Sequence, residues 1–168
     1  MENGLIPDWV TRMEAEDVAK ANAANAERQQ KRVVRLLIAA KGPEFVQNLF
    51  RELDINARSL KDGLRQFLLQ GSVDSSGDPR HEQRCRVSVW GQSFDPQQTY
   101  TDVIYTVGDP AIHCYTREGT AFKLPFRIYG EDGSEVGVMS EESPAPMDCK
   151  KVAQFIVERM VKLVREAG

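Results

Sequence analysis

Cysteine and histidine are scarce in this chain of 168 residues, which contains three cysteines and two histidines. A small, odd number of cysteines argues against a disulfide framework, which is typical of short secreted proteins with paired cysteines. Each histidine has a cysteine nearby, since His81 precedes Cys85 and His113 precedes Cys114. Neither pair has the C-x-x-C or H-x-x-H spacing of a metal site, so we predict that the protein binds no metal.

Long apolar runs and the signatures of common enzyme classes are also missing. The most apolar run, VVRLLIAA, is too short to span a bilayer, and the first residues, MENGLIPDWV, lack a basic and apolar leader. We therefore expect a cytoplasmic protein with no membrane partner. The chain contains no G-x-x-x-x-G-K-[ST], G-x-G-x-x-G, G-x-S-x-G or H-E-x-x-H motif, so we predict no cofactor and no catalytic residue from motifs. The formal net charge of -3 does not favour nucleic acid as a partner.

Helical spacing of apolar residues is the main pattern in the first part of the chain, where glycine and proline are rare. We predict a helix over residues 7–41, a second over 44–53 and a third over 57–70. The KGP segment between the first two is expected to end a helix, because glycine favours a C-terminal cap and proline a first turn. The LDIN segment is expected to break the next one.

Alternating apolar residues predict about four to five strands in the middle of the chain, most clearly over 122–128. A last helix follows Asp148, a typical N-cap residue. Helices followed by a run of strands indicate an α+β fold, with N-terminal helices, an antiparallel β-meander and a C-terminal helix packed on one face of the sheet. We expect an N-terminal helical arm over 1–41 and an α+β domain over 42–168, or one continuous domain over 1–168.

The outer face of the predicted sheet combines aromatic and basic side chains. Such a face can stack on a planar ligand or clamp a peptide, although a wet sheet face with no ligand has the same composition. We therefore predict a non-enzymatic binding or protein-interaction domain of unknown ligand. Strand parity assigns to this face Arg86, Trp90, His113, Tyr115, Lys123, Arg127 and Tyr129.

A local excess of positive charge supports a second hypothesis, nucleic-acid binding. Nine basic and four acidic residues lie between Arg28 and Arg65. Arg58, Lys61 and Arg65 are spaced to share one face of helix 57–70, which would follow helix 44–53 as in a helix-turn-helix. The alternative is a solvated helix face, which is the usual role of such charges.

Cys149 supports a third hypothesis, a thiol-dependent enzyme. It lies in the segment MDCKK, in the first turn of the predicted last helix. The positive end of the helix dipole and the neighbouring Lys150 and Lys151 are expected to favour its thiolate, whereas Asp148 opposes this. Neither histidine can be assigned as its base from the sequence.

Self-association through the helices, as a dimer, is the expected partnership. The segment 14–31 favours a helix but has too few large apolar residues to bury itself firmly on a core. The last helix has the opposite excess, because Val157, Val161 and Val164 extend its apolar surface beyond what one sheet face covers. The alternative is that the N-terminal helix folds back and covers this surface within one chain.

Overall fold

The computed structural model describes residues 4–63, 69–91 and 98–167. These residues form a long helix, a series of strands and a second helix, in that order. This confirms the predicted α+β architecture, although the described residues form seven strands where about four to five were expected. The elements are α1 (Asp8–Gly63), β1 (Leu69–Asp78), β2 (Glu82–Gly91), β3 (Gln98–Thr106), β4 (Ala111–Thr116), β5 (Ala121–Tyr129), β6 (Glu135–Ser140), β7 (Ser143–Met147) and α2 (Cys149–Ala167).

The strands form one antiparallel sheet in which each strand pairs with its neighbours in the chain, in the order β1 to β7. The two strands that the sequence did not predict, β1 and β7, lie at the edges. β1 (LQGSVDSSGD) has the composition of a loop, and β7 (SPAPM) contains two prolines. Edge strands tolerate both, since half of their backbone groups need no ladder partner. Pairing with β2 and β6, rather than intrinsic propensity, defines these strands.

The core lies on one face of the sheet, which we call the inner face. The segment TYTDVIYTV, residues 99–107, has apolar residues at both parities, so its sequence leaves the facing of β3 ambiguous. In the structure β3 follows the same alternation as its neighbours. The residues between the buried ones point to the opposite, outer face, where Tyr100, Asp102 and Ile104 of β3 are half-buried. The buried inner-face residues of β2 to β5 include Cys85, Val87, Val89, Thr99, Thr101, Val103, Tyr105, Ile112, Cys114, Leu124 and Phe126.

α1 continues through Gly42 and Pro43, so the predicted helix end in the KGP segment is wrong. Gly42 is buried, and a Cβ atom there would collide with the hydroxyl group of Tyr105. The missing side chain therefore allows the helix to pack closely on the sheet and does not form a C-terminal cap. Pro43 removes one N–H donor from the helix, and burial of the neighbouring Phe45 and Val46 offsets that loss.

The predicted break at LDIN is also wrong. Leu53, the first residue of this segment, and Ala57, which follows it, are fully buried, and the Asn56 side chain donates to the carbonyl oxygen of Glu52 at 2.8 Å. Tertiary packing therefore outweighs the weak helix propensity of this segment. The predicted helix 57–70 is wrong at its end, because α1 ends at Gly63 and residues 69–70 belong to β1. Residues 64–68 lie outside the described residues.

The chain divides into two compact units, one that ends at Leu36 and one that begins at Leu37. Every residue that the structure describes in the first unit is exposed, except the half-buried Val10. In the second unit, a single core cluster combines residues of α1 from Ile38 onward with residues of the sheet and of α2. Within the described residues, neither helix has the length and apolarity needed to cross a membrane.

α2 begins as predicted, because Asp148 Oδ1 accepts a hydrogen bond from the Lys151 N–H at 2.9 Å. Its apolar surface is covered within the chain: Val157, Val161 and Val164 are 4%, 7% and 7% exposed. The exposed patch expected on this helix is therefore absent, and that reason for a dimer is wrong. α2 packs on β2, β3 and β7, and at its first residue the Cys149 thiol donates a hydrogen bond to the Phe45 carbonyl of α1 at 3.3 Å.

Candidate functional site

β5 changes its pairing partner halfway along its length. Residues 121–125 pair with β4, whereas residues 126–129 pair with β6. Pro125 lies at this change, which explains how a proline fits a strand in the middle of the sheet. On the side facing away from β4, the described part of the sheet leaves residues 121–125 without a paired strand. This stretch is therefore an open edge inside the sheet.

The register identifies which backbone groups this edge presents. Thr116 N–H donates to Thr120 O, and Phe126 N–H donates to Pro110 O, each at 2.9 Å. Even-numbered residues of β5 therefore bond to β4, and the odd-numbered ones between them point the other way. Ala121 and Lys123 each direct an N–H and a C=O to the open edge. Pro125 has no N–H to offer there.

A cavity of about 700 Å³ lies at this open edge. One side is formed by β5 and its β4 neighbours, and the other by the turn between β6 and β7 and by α2. The last residues of β6 line the cavity because they no longer pair with β5. The pairing of β6 with β7 is also irregular there, between Val138 and Ser140. We call this site the β5 groove; its lining includes His113, Tyr115, Ala121, Phe122, Lys123, Leu124, Met139, Ser140, Glu141, Phe155 and Arg159.

An aromatic and cationic cluster forms the inner-face wall of the β5 groove. The rings of Phe122 and Phe155 meet edge to face, with centroids 6.2 Å apart. The guanidinium carbon of Arg159 lies 4.8 Å from the centroid of the Phe122 ring. Stacking of this kind fixes the orientation of a guanidinium while its N–H donors stay available for a carboxylate or a carbonyl. This wall can therefore accept an apolar side chain beside an acidic or carbonyl oxygen.

Polar groups of two further residues belong to the same groove. The hydroxyl oxygen of Ser140 is buried and has no hydrogen-bond partner among the described residues. Such a group is unusual in a native protein, where buried polar atoms are nearly always paired. On the other side, His113 Nε2 lies 2.9 Å from Asp109 Oδ2, which holds its ring in place. A ligand in the groove would meet a fixed imidazole, and the unpaired hydroxyl of Ser140 lies buried in the groove wall.

Three of the predicted ligand-binding residues meet in the β5 groove: His113, Tyr115 and Lys123. His113 is paired directly with Lys123 across β4 and β5, and Tyr115 is paired with Ala121. Cross-strand partners have Cβ atoms about 4.5–5.5 Å apart, so these side chains form one patch. Tyr115 and Lys123 are exposed, and His113 is half-buried.

Arg86 lies on the outer face as predicted, but its charge is already paired. Its guanidinium donates to both carboxylate oxygens of Asp102, at 2.7 and 2.9 Å, and stacks on Tyr100 at 4.1 Å. The hydrogen bond to Asp102 is the main cause of the raised pKa of Arg86. Both partners lie on β3, whose ambiguous pattern hid them from the sequence analysis. The pairing of Arg86 with Asp102 would have been found from the register of β2 and β3.

The remaining predicted residues are not part of the β5 groove. Trp90 follows Arg86 by four residues along β2, or about 13 Å, and is half-buried beside its pairing partner Gln98. Arg127 is exposed on the part of β5 that pairs with β6. Tyr129 is half-buried and packs over Gly137, where a Cβ atom would lie 2.9 Å from its ring. The outer face is therefore not one continuous ligand surface.

The cysteines are buried to different degrees, and burial raises the pKa of each thiol. Cys85 and Cys114 face the core as strand parity predicts, and both have a pKa of about 12. Cys149 is half-buried. Its pKa is raised to about 11, mainly by burial and to a lesser extent by the negative charges of Asp148 and Glu52. The expected thiolate stabilisation at Cys149 is wrong in direction, because desolvation outweighs the helix dipole. Catalysis by this thiol stays a prediction without support from the site.

The helix-turn-helix hypothesis is wrong, because α1 is continuous from residue 8 to residue 63. Arg58 donates to Asp54 Oδ1 at 2.9 Å, and Lys61 is exposed. Arg65 lies outside the described residues. Nucleic-acid binding through Arg58 and Lys61 stays a prediction. The ion pair between Arg58 and Asp54 within α1 weakens it, because Arg58 is already partly neutralised.

The histidine–cysteine pairs of the sequence do not converge. His113 bonds to Asp109, while its neighbour Cys114 points to the core. His81 is exposed in the turn before β2. Among residues 4–63, 69–91 and 98–167, no group of three or more His, Cys, Asp or Glu side chains is arranged to hold a metal ion.

Comparison with protein-family models, curated proteins and solved structures finds no match for this chain.

Proposed function

We propose that this protein is a non-enzymatic peptide-binding domain, which adds an extended segment of a partner protein to the open edge of β5. The observation that carries the proposal is the one-sided pairing of residues 121–125 beside a cavity of about 700 Å³. Addition of a strand to an exposed sheet edge is a recurring mode of peptide recognition. An unpaired sheet edge also promotes aggregation. A specific partner that pairs with this edge would explain why the protein has it.

Backbone hydrogen bonds supply the sequence-independent part of this binding. Ala121 and Lys123 offer two N–H donors and two C=O acceptors at the spacing of a strand. Each hydrogen bond formed with a peptide contributes about 0.5–1.5 kcal/mol net. The five-residue edge spans about 17 Å, which sets the length of peptide that pairs with it.

Side chains on the two faces supply the specificity. A residue of the added strand that points inward meets Phe122, Phe155 and Arg159, which favours an apolar side chain followed by a carboxylate or carbonyl oxygen. A residue that points outward meets Lys123 and His113, and Glu141 and Glu142 also line the groove, so these groups of both signs favour a polar side chain. The expected ligand is therefore an extended segment in which apolar and polar residues alternate.

Substitution of Lys123 by proline tests the backbone contacts. Lys123→Pro removes an N–H that points to the open edge, at the same parity as the native Pro125, and leaves the pairing with β4 intact. Lys123→Ala removes the same side chain but retains the N–H and is the matched control. Peptides would be selected on the wild-type protein from a display library of random twelve-residue sequences. We expect Lys123→Pro to weaken the binding of a selected peptide at least about fivefold more than Lys123→Ala does.

Amide hydrogen exchange tests the site independently of the substitution. In the free protein, the amides of Ala121 and Lys123 should exchange much faster than those of Phe122 and Leu124, which bond to β4. The selected peptide should protect the two fast amides. Equal protection of all four amides in the free protein, or a peptide whose binding is the same in both variants, would refute the proposal.

A further inference from the structure

The first unit presents one helix face with a defined order of charge. Its residues recur at alternating spacings of four and three, which is the repeat of a coiled-coil seam. Along this seam, acidic residues come first, alanines lie in the middle and basic residues come last. All but the half-buried Val10 are exposed. The seam consists of Val10, Glu14, Asp17, Ala21, Ala24, Arg28, Lys31 and Arg35.

This order is self-complementary when the helix meets a second copy of itself in the antiparallel direction. With the centre between residues 22 and 23, the layers of an antiparallel coiled coil pair Ala21 with Ala24 of the second copy. The next layers pair Asp17 with Arg28, then Glu14 with Lys31, and the outermost layers pair Val10 with Arg35 without charge complementarity. The two-fold symmetry forms each contact twice, so four oppositely charged pairs flank a centre of small residues.

Residues beside the seam agree with the same register. On one flank of an antiparallel pair, equivalent heptad positions of the two copies meet, which brings Lys20 of one copy to Glu27 of the other. Glu27 also contacts Lys31 of its own helix at 3.0 Å, so the dimer would extend an existing exposed ion pair. It also brings together Met13 and Val34, which are 55% and 36% exposed in the single chain. An apolar contact thereby closes each end of the charged seam. Two independent rows of residues thus point to one register.

We propose that residues 10–35 of α1 form an antiparallel homodimeric coiled coil with a second copy of this chain. A parallel pair would place Asp17 against Asp17 and Arg28 against Arg28, and would lose every oppositely charged contact in the seam. The alanines at the centre let the two helices approach closely, and the ion pairs fix direction and register. The dimer does not depend on the β5 groove, which lies in the second unit.

Charge reversal in the full-length protein tests the interface. Asp17→Arg would face Arg28 of the second copy twice in each dimer. We expect the dimer dissociation constant from sedimentation equilibrium to rise about tenfold or more. Combining Asp17→Arg with Arg28→Glu restores the opposite charges and should recover most of the wild-type affinity. Glu16→Arg is the matched control, because Glu16 lies next to Asp17 in the chain but outside the seam.

Several outcomes would overturn the proposal. One is a wild-type particle of a single chain's mass, 18.9 kDa, at all micromolar concentrations. Another is an equal effect of Asp17→Arg and Glu16→Arg, which would indicate a general charge effect. Failure of the combined variant to recover affinity would exclude this register. Circular dichroism would verify that each variant keeps its helix, as expected for exposed positions.

Discussion

The two halves of α1 differ although they belong to one continuous helix. Before Leu37 the helix is exposed and patterned by charge, with alanines at its centre. From Ile38 onward it is patterned by large apolar residues, and Val46, Leu49 and Leu53 are completely buried. Helix propensity does not explain this difference, because the second half stays helical through Gly42, Pro43 and the LDIN segment, which favour helix weakly. The spacing of large apolar residues distinguishes a helix that packs on its own core from one available to another chain.

The strongest test of this difference is to substitute one leucine by alanine in each half. Leu49→Ala empties a fully buried site and should lower the free energy of unfolding by about 2–5 kcal/mol. Leu36 is 59% exposed, so Leu36→Ala should change it by less than about 0.5 kcal/mol. Urea unfolding followed by circular dichroism measures both. Similar losses from the two variants would contradict the division into an exposed and a buried half.

Glycine substitutions give the next largest difference. A Cβ atom at Gly71 would lie 2.7 Å from the carbonyl oxygen of Ala57, where α1 crosses β1. Because the obstacle is backbone, Gly71→Ala should cost about 1–3 kcal/mol of unfolding free energy. Gly4→Ala has nothing within 4 Å and is the control. If the two variants unfold at the same temperature, the helix and the strand can move apart at Gly71 without loss of stability.

Ion pairs should give the smallest difference. Arg86 binds Asp102 through two hydrogen bonds and stacks on Tyr100, whereas Lys162 forms a single 3.4 Å contact with Glu158 within its own helix. Arg86→Met should lower the urea midpoint of the second unit slightly, and Lys162→Met should leave it unchanged. High salt should reduce the effect of Arg86→Met. A larger effect from Lys162→Met would reverse the order of the comparison.

Elements defined by burial on one face could be predicted from the sequence, and elements defined by neighbours could not. The alternation in β5 is clear because its inner residues, Leu124 and Phe126, enter the core. β1 has no such pattern, and only its ten-residue register with β2 makes it a strand. The continuation of α1 through Gly42 and Pro43 also depends on contacts that no local pattern contains, above all the contact with Tyr105.

The candidate site follows the same division. Strand parity correctly assigned His113, Tyr115 and Lys123 to the outer face, where they border the β5 groove. The open edge itself results from the change of partner along β5, which parity does not reveal. Arg159 and Ser140 come from α2 and β6, and their approach to β5 is a property of the tertiary structure. A sequence can indicate which faces are polar more readily than where a sheet is left incomplete.

The order of the sheet has a consequence for how quickly the protein folds. Each strand pairs only with its sequence neighbours, so the loops closed during sheet formation are short and their entropic cost is low. The long closures are the docking of α2 on β2 and β3 and its contact with α1, where the thiol of Cys149 meets the carbonyl of a residue 104 positions earlier. Contact order is therefore low within the sheet and high where α2 docks. That docking step, rather than strand pairing, should set the height of the folding barrier.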